Sequence, residues 1–143
     1  MNIGGPAMQI STLMRSFAGT RVYQVLLTGS VGDDEQDYLD GEGADLRYVR
    51  IKGLQREVRP REDAEAFARI AYFMRGFRPD IVHTHTAKAG SLGRLAAILT
   101  RSPAKRIHTF HGHLLHGYFS ERQTRRVVRV EKALAHRSDR LIA

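Results

Sequence analysis

The chain has 143 residues, of which 42% are hydrophobic and 27% charged, a composition typical of one globular domain with a single buried core. It has no cysteine, which excludes a disulfide framework, thiolate metal ligands and a cysteine nucleophile. Its net charge of +8 predicts affinity for phosphate groups, whether these belong to a nucleotide, a nucleic acid or an anionic lipid surface.

The first predicted element is an amphipathic helix that follows two glycines and a proline. Its apolar residues recur at i, i+3, i+4 and i+7: Ile10, Leu13, Met14 and Phe17. Glycines let backbone approach a ligand closely, and the free N–H groups of a helix start favour phosphate. Gly4 and Gly5 therefore predict either a phosphate-binding loop or a plain tight turn.

Two strands are predicted next, over 22–28 and 46–51, on either side of an acidic segment. This segment, residues 33–45, holds seven acidic residues and no basic one. It contains no calcium-loop pattern, so we expect a solvated loop and no metal site.

The second half of the chain switches repeatedly between helical and strand periodicity. Helices are predicted around an apolar stripe at 67–74, over 90–99 and over 121–136. Strands are predicted over 80–85, 105–110 and 139–143. In the second helix, we expect the inward residues to be Leu92, Leu95, Ala96 and Leu99. This alternation with short connections predicts an α/β fold, a doubly wound parallel sheet with helices on both faces.

The domain organisation follows from the absence of repeats, low-complexity tracts and linkers. Residues 1–143 are predicted to form a single domain. Its glycine loop has no strand before it, although the first strand of a doubly wound sheet normally lies centrally. The final strand has only about five residues. We therefore expect an incomplete domain, clipped from a longer protein at both ends.

Six of the seven histidines lie between His83 and His116, at or beyond the carboxyl ends of two predicted strands. Ligands of open α/β sheets bind at these ends. We expect functional roles for His85 and Lys88, and a structural role for His83, because His83 lies within the strand, where it shares a face with His85. The loop after the next strand suggests proton handling, hydroxyl recognition or metal binding. No metal is expected, because cysteine is absent and carboxylates are few nearby.

The last predicted helix carries basic residues at three- to four-residue steps: Arg122, Arg125, Arg126, Arg129 and Lys132. Such a face is typical of a solvated helix or of attachment to anionic lipid headgroups. No recognition-helix motif or stacking aromatic residue accompanies it, so no nucleic-acid partner is expected. The sequence lacks an apolar run long enough to span a bilayer and lacks a cleavable signal. We expect a cytoplasmic chain, peripheral to the inner face of the cytoplasmic membrane if it contacts lipid.

Five segments together resemble the N-terminal domain of family-four glycosyltransferases of the GT-B fold. In the expected order, these are NIGGPA, VYQVLLTG, RIKGLQREVRPRED, RPDIVHTHTAKAGSLGRLAA and HTFHGHLLHGYFS. The resemblance covers almost the whole chain. It implies the Rossmann-like, acceptor-side half of a GT-B enzyme, without the C-terminal domain that holds the nucleotide sugar.

The resemblance implies a retaining transfer of a sugar from a nucleotide-sugar co-substrate to a saccharide or lipid-linked acceptor of the cell envelope, without a metal or other cofactor. It matches Gly4 and Gly5 to the loop near the donor phosphates and His111 to the catalytic histidine beside the transferred sugar. It matches three residues to the acceptor pocket: His85, Lys88 and His113.

Because the C-terminal domain is missing, we expect the isolated chain to be inactive. Three alternatives stay open at this point. The chain is half of a nucleotide-sugar 2-epimerase, which has a similar two-domain architecture, or it is a non-catalytic binding module that needs a partner domain from another protein. A gene remnant without activity is a third possibility.

Overall fold

The computed structural model describes residues 1–32, 35–55, 57–112 and 121–143, apart from the side chains of residues 121–123 and 126. The helices are α1 (Gly5–Ser16), α2 (Pro60–Phe77), α3 (Ala87–Leu99) and α4 (Glu121–Ala135), with a short 3₁₀ helix at Tyr38–Asp40. The strands are β1 (Leu26–Thr28), β2 (Tyr48–Arg50), β3 (Ile81–His85), β4 (Lys105–Thr109) and β5 (Arg140–Ile142).

All strand pairs of the two described sheets are parallel, which confirms the predicted α/β class. One sheet pairs β1 with β2, and the other has the order β3–β4–β5. The chain divides into two compact units, residues 1–66 and residues 67–143. Among the described residues, no helix has the length and apolar composition to cross a membrane.

The first unit has its core around α1 and the 3₁₀ helix. Four residues form the buried cluster: Ala7, Tyr38, Leu39 and Leu46. The hydroxyl of Tyr38 donates a 2.9 Å hydrogen bond to Ser11 Oγ, so this buried phenol has a polar partner.

The acidic segment corrects the prediction of a solvated loop. Tyr38 and Leu39 are only 2% exposed, because the segment contributes apolar side chains to the core. Asp37 accepts a hydrogen bond from the backbone N–H of Leu39 and forms a 2.6 Å ion pair with Arg50. These contacts anchor the middle of the segment to β2.

In the second unit, α3 lies directly on β3 and β4 through two glycines. A Cβ atom at Gly90 would lie 2.5 Å from His108 Cε1, and one at Gly93 would lie 2.9 Å from Thr84 Cγ2. Only hydrogen fits at either position, so the glycines set the distance between helix and sheet.

The face of α3 that is buried differs from the predicted leucine stripe. The buried residues are Gly90, Gly93, Arg94, Ala96 and Ala97. Leu95 and Leu99 are 40% and 59% exposed, so the prediction was wrong for both. The sheet accepts the face with small side chains because that face permits the closest approach.

A buried ion pair joins α3 to α4. The Arg94 side chain is 0% exposed, and its Nη2 lies 2.7 Å from Glu131 Oε2 and 2.9 Å from Glu131 Oε1. Arg94 Nε also donates to the carbonyl of Gly90 at 3.1 Å. Glu131 in addition accepts a hydrogen bond from Ser91 Oγ. A long cationic side chain is thus buried at a position that lies outside the predicted apolar stripe.

Candidate active site

The register of β3 and β4 separates the polar residues of these strands onto two faces. Thr84 lies opposite His108, and His85 lies opposite Thr109. Because side chains alternate along a strand, His83, His85 and Thr109 share one face. Thr84 and His108 share the other face, which α3 covers.

Three histidines form a connected cluster at the carboxyl ends of these strands. His85 Nδ1 lies 2.9 Å from His111 Nε2, and their ring centroids are 5.1 Å apart. The rings of His83 and His85 are in contact, with centroids 4.3 Å apart. His83 Nε2 is hydrogen-bonded to Thr109 Oγ1 at 2.8 Å. The structure therefore brings together His85 and His111, both predicted site residues, and adds His83 and Thr109. We name these four residues the histidine cluster.

Burial keeps this cluster uncharged. Loss of solvation, together with a smaller effect of the neighbouring histidines His83 and His111, lowers the pKa of His85 to about 3. Burial also lowers the pKa values of His83 and His111 below the ordinary value. Near pH 7 the cluster consists of neutral imidazoles, each with one donor nitrogen and one acceptor nitrogen.

The covered face holds a fourth histidine, which the sequence analysis did not single out. His108 is 0% exposed, and its Nδ1 lies 2.9 Å from Thr84 Oγ1. Burial, followed by the charge of Arg94, lowers its pKa to about 4. Its side chain packs against Gly90, so it supports the packing of α3 on the sheet and does not face a ligand. No local pattern in the sequence distinguishes His108, because its burial depends on the pairing of β4 with β3 and on the cover of α3.

The turn between β3 and α3 is strained at Thr86. This residue has φ 60° and ψ 164°, a conformation that is almost restricted to glycine and that costs roughly 1–3 kcal/mol. Such strain is concentrated at functional sites. Thr86 directly follows His85, so the strained turn joins the histidine cluster to the start of α3.

The other predicted site residues are placed as follows. Lys88 was expected in a loop, but it lies half-buried in the first turn of α3, which begins three residues earlier than predicted. Gly4 and Gly5 lie at the start of α1, in the first unit. His113 and the side chains of Arg122 and Arg126 lie outside the described residues. The described basic residues of α4 are exposed: Arg125, Arg129 and Lys132.

The described part of the chain contains no set of side chains that could bind a metal ion. No group of three or more His, Asp or Glu residues within it could hold a metal ion.

Comparison with known proteins decides the family. The family model of the glycosyl transferase 4-like domain matches residues 4–143. This chain belongs to that family. The match confirms the resemblance given by the sequence motifs.

A relative of this glycosyl transferase 4-like chain is the Escherichia coli protein UDP-Gal:alpha-D-GlcNAc-diphosphoundecaprenol alpha-1,3-galactosyltransferase. It is 36% identical over 76 residues, which are 53% of this chain and 19% of that protein. The similarity thus spans about a fifth of the relative's length. No solved structure matches the chain.

The chemistry available to this glycosyl transferase 4-like chain follows from the neutrality of its histidine cluster. Neutral imidazoles both donate and accept hydrogen bonds, as sugar hydroxyls do. They supply no positive charge near pH 7, so the cluster is suited to a sugar and poorly suited to gripping a diphosphate. Its place at the carboxyl ends of parallel strands is where α/β folds bind ligands.

Proposed function

We propose that this chain forms the acceptor-side half of a glycosyltransferase that moves a sugar from a nucleotide-sugar donor to a saccharide or lipid-linked acceptor. Family membership over residues 4–143 supports sugar transfer. The name of the Escherichia coli relative contains UDP-Gal and a diphosphoundecaprenol-linked sugar, which supports a nucleotide-sugar donor and a lipid-linked acceptor.

The observation that carries the proposal is the hydrogen-bonded pair of His85 and His111 at the carboxyl ends of β3 and β4. In the proposed reaction, His111 lies beside the transferred sugar and orients its hydroxyls. A sugar that loses its leaving group develops positive charge, and a neutral imidazole adds no repulsion there. Burial of His111 favours this neutral state.

The other predicted site residues have the following proposed roles. Gly4 and Gly5 belong to the donor-phosphate loop, whose backbone N–H groups suit a diphosphate. Three residues contribute to the acceptor side: His85, Lys88 and His113. The transfer retains the anomeric configuration and uses no metal or other cofactor. A C-terminal nucleotide-sugar domain completes the enzyme, in the same chain or in a partner.

The test uses the product of the complete open reading frame that contains this chain. Purified protein is incubated with labelled nucleotide sugars and polyprenyl-diphosphate-linked acceptors, and labelled lipid product is measured. We expect acceptor-dependent transfer. Release of an epimerised nucleotide sugar without any acceptor would contradict the proposal.

The role of His111 is tested by His111→Ala in the same protein. Loss of a group that acts in the transition state lowers kcat/KM by about 100-fold or more. His136→Ala is the matched control, because His136 is exposed at the end of α4. Near-normal kcat/KM in His111→Ala, with unchanged thermal stability, would remove His111 from the reaction.

We also propose that α4 brings the chain to the inner face of the cytoplasmic membrane. Arg125, Arg129 and Lys132 are exposed, and their spacing of four and three residues aligns them along one side of the helix. Each basic residue that lies close to an anionic membrane surface contributes about 1 kcal/mol to the free energy of binding.

Vesicle co-sedimentation tests this contact. We expect binding to phosphatidylglycerol vesicles, little binding to phosphatidylcholine vesicles, and weakening with salt. The double variant Arg129→Glu/Lys132→Glu should bind at least about 10-fold more weakly. Lys52→Glu/Arg75→Glu is the control, since it makes the same change in net charge at exposed sites elsewhere. Equal losses in both variants would show a general charge effect and no contact through α4.

A further inference from the structure

We propose that His85 is a positioning residue for His111, which fixes the orientation of the His111 ring and couples its tautomer to that of His85, so that Nδ1 is the nitrogen presented to the sugar. This inference rests on the proposed function, in which His111 contacts the transferred sugar. It gives His85 a role that acts through His111, in addition to any contact with the acceptor.

The rings of His85 and His111 are in direct contact. His85 Nδ1 and His111 Nε2 are 2.9 Å apart, a hydrogen-bond distance. Nε2 of His111 is therefore occupied within the protein. The nitrogen that remains for a ligand is Nδ1, on the other side of the ring.

His85 is itself held in place by its neighbours. Its strand position opposite Thr109 is fixed by the parallel register of β3 and β4. The ring of His83 lies against it, and Thr109 Oγ1 holds His83 at 2.8 Å. A chain of contacts thus runs from Thr109 through His83 and His85 to His111. Because His85 is held in a strand, it can fix the orientation of the His111 ring. His111 itself lies after the end of β4, where no strand pairing holds it.

The number of protons on the two rings links their tautomers. Two neutral imidazoles carry one N–H each, and their hydrogen bond contains one of these protons. If His85 donates from Nδ1, His111 carries its own proton on Nδ1 and donates to a ligand. If His111 donates from Nε2, its Nδ1 accepts from a ligand, and the proton of His85 is on Nε2. The two outer nitrogens of the pair are therefore always one donor and one acceptor.

This complementarity has a direct consequence for recognition. A sugar hydroxyl both donates and accepts, so it can bind either tautomer of the pair. A single unpaired histidine would interconvert freely between tautomers and ring orientations. The pair restricts these states before the substrate arrives, which is the kind of preorganisation that residues behind a reacting group provide.

The experiment compares His85→Leu with His85→Asn in the complete protein. Both side chains have similar size, and only asparagine places a polar group where Nδ1 of histidine lies. For His85→Leu we expect kcat to fall about 10- to 100-fold, the range typical of residues that orient a functional group. KM for the donor should change far less, and His85→Asn should recover much of kcat. His136→Leu is the matched control and should retain wild-type kcat.

Two kinetic outcomes would overturn the inference. A large rise in acceptor KM with unchanged kcat would show that His85 binds the acceptor directly. Equal losses in His85→Leu and His85→Asn would show that the hydrogen bond to His111 has no role. Conversely, His85→Leu should have little further effect on kcat in a His111→Ala background, because the two residues act as one unit.

A readout without activity separates this inference from the proposed function. Side-chain ¹⁵N NMR of the histidine rings, with a chelator present, reports the protonation of each nitrogen. We expect one hydrogen-bonded N–H shared by His85 and His111 in the wild type, and a His111 ring that loses this signal in His85→Leu. If the signal is present but no sugar is transferred, the proposed function fails and the pair stands. If it is absent in the wild type, the pair itself is refuted.

Discussion

The two faces of the β3–β4 sheet contain the same kinds of side chain in very different settings. On the face that α3 covers, His108 and Thr84 are almost completely buried and bonded to each other. On the other face, His83 and His85 are half-buried and bonded to Thr109 and His111. Burial lowers the histidine pKa values on both faces. Exposure, and not charge state, therefore separates a supporting histidine from one that can reach a ligand.

The covered face is expected to give the largest effect on stability. In Glu131→Ala the charge of Arg94, which is 0% exposed, loses its ion-pair partner. We expect the free energy of unfolding to fall by about 3–5 kcal/mol, as measured by urea denaturation.

The double variant Arg94→Met/Glu131→Met serves as the control, because it removes both charges and keeps apolar volume. It should be clearly more stable than Glu131→Ala. A change of less than about 1 kcal/mol in Glu131→Ala would place the guanidinium in water and contradict its burial.

A smaller loss is expected when the distance between α3 and the sheet is altered. In Gly90→Ala the new Cβ would approach His108 Cε1 to 2.5 Å, so helix or ring must move. We expect a destabilisation of about 1–3 kcal/mol by urea denaturation. In the control Gly76→Ala, the Cβ meets no atom within 4 Å, and the helix gains about 0.5–1 kcal/mol. Stabilisation by both substitutions would argue against the close contact.

Acid pH should distinguish His108 from an exposed histidine. Its pKa is about 4 in the folded chain and near 6.5 when unfolded. Between these values the unfolded state binds more protons, so this contribution to stability is full above pH 6.5 and is lost as the pH falls towards 4.

Urea midpoints at pH 7.5 and pH 5 measure this loss. We expect the decrease to be smaller in His108→Asn than in the wild type, and unchanged in the exposed control His136→Asn. An identical pH dependence in all three proteins would mean that His108 is not held neutral by the fold.

The smallest effect is expected at the strained turn beside the histidine cluster. Thr86→Gly removes the cost of φ 60° but adds backbone entropy to the unfolded chain, so we expect a net stabilisation of about 1 kcal/mol. Thr100→Gly is the control, because Thr100 has φ −78° and bonds the carbonyl of Ala96. It should be destabilised, and a gain in both variants would locate the benefit outside the strained backbone. Thermal unfolding followed by circular dichroism measures both.

The sequence predicted the alternation of helices and parallel strands well, since it depends on local hydrophobic periodicity. β3 and β4 lie within one residue of their predicted ends. The alternation of side chains along a strand also predicted correctly that His83 and His85 share one face. The helix α2, however, begins at Pro60, upstream of its apolar stripe, because a proline in the first turn fits a helix start.

Long-range pairing explains what the sequence could not predict. Leu95 and Leu99 fit an inward stripe by periodicity, yet the sheet selects the face of Gly90 and Gly93, which permits closer packing. The burial of Arg94 depends on Glu131, 37 residues away. The bond between His85 and His111 requires the register of two strands that are separated by a helix. No local pattern contains these distances.

The Arg94–Glu131 ion pair limits the positions in which α4 can pack against α3. Two apolar helix faces can slide past one another by a turn, about 5.4 Å, and still cover each other. A guanidinium that is fully enclosed and 2.7 Å from its carboxylate has no equivalent position one turn away. The ion pair therefore fixes the position of α4 along α3. It also fixes the direction in which the exposed arginines and lysine of α4 project, relative to the strands that bear the histidines.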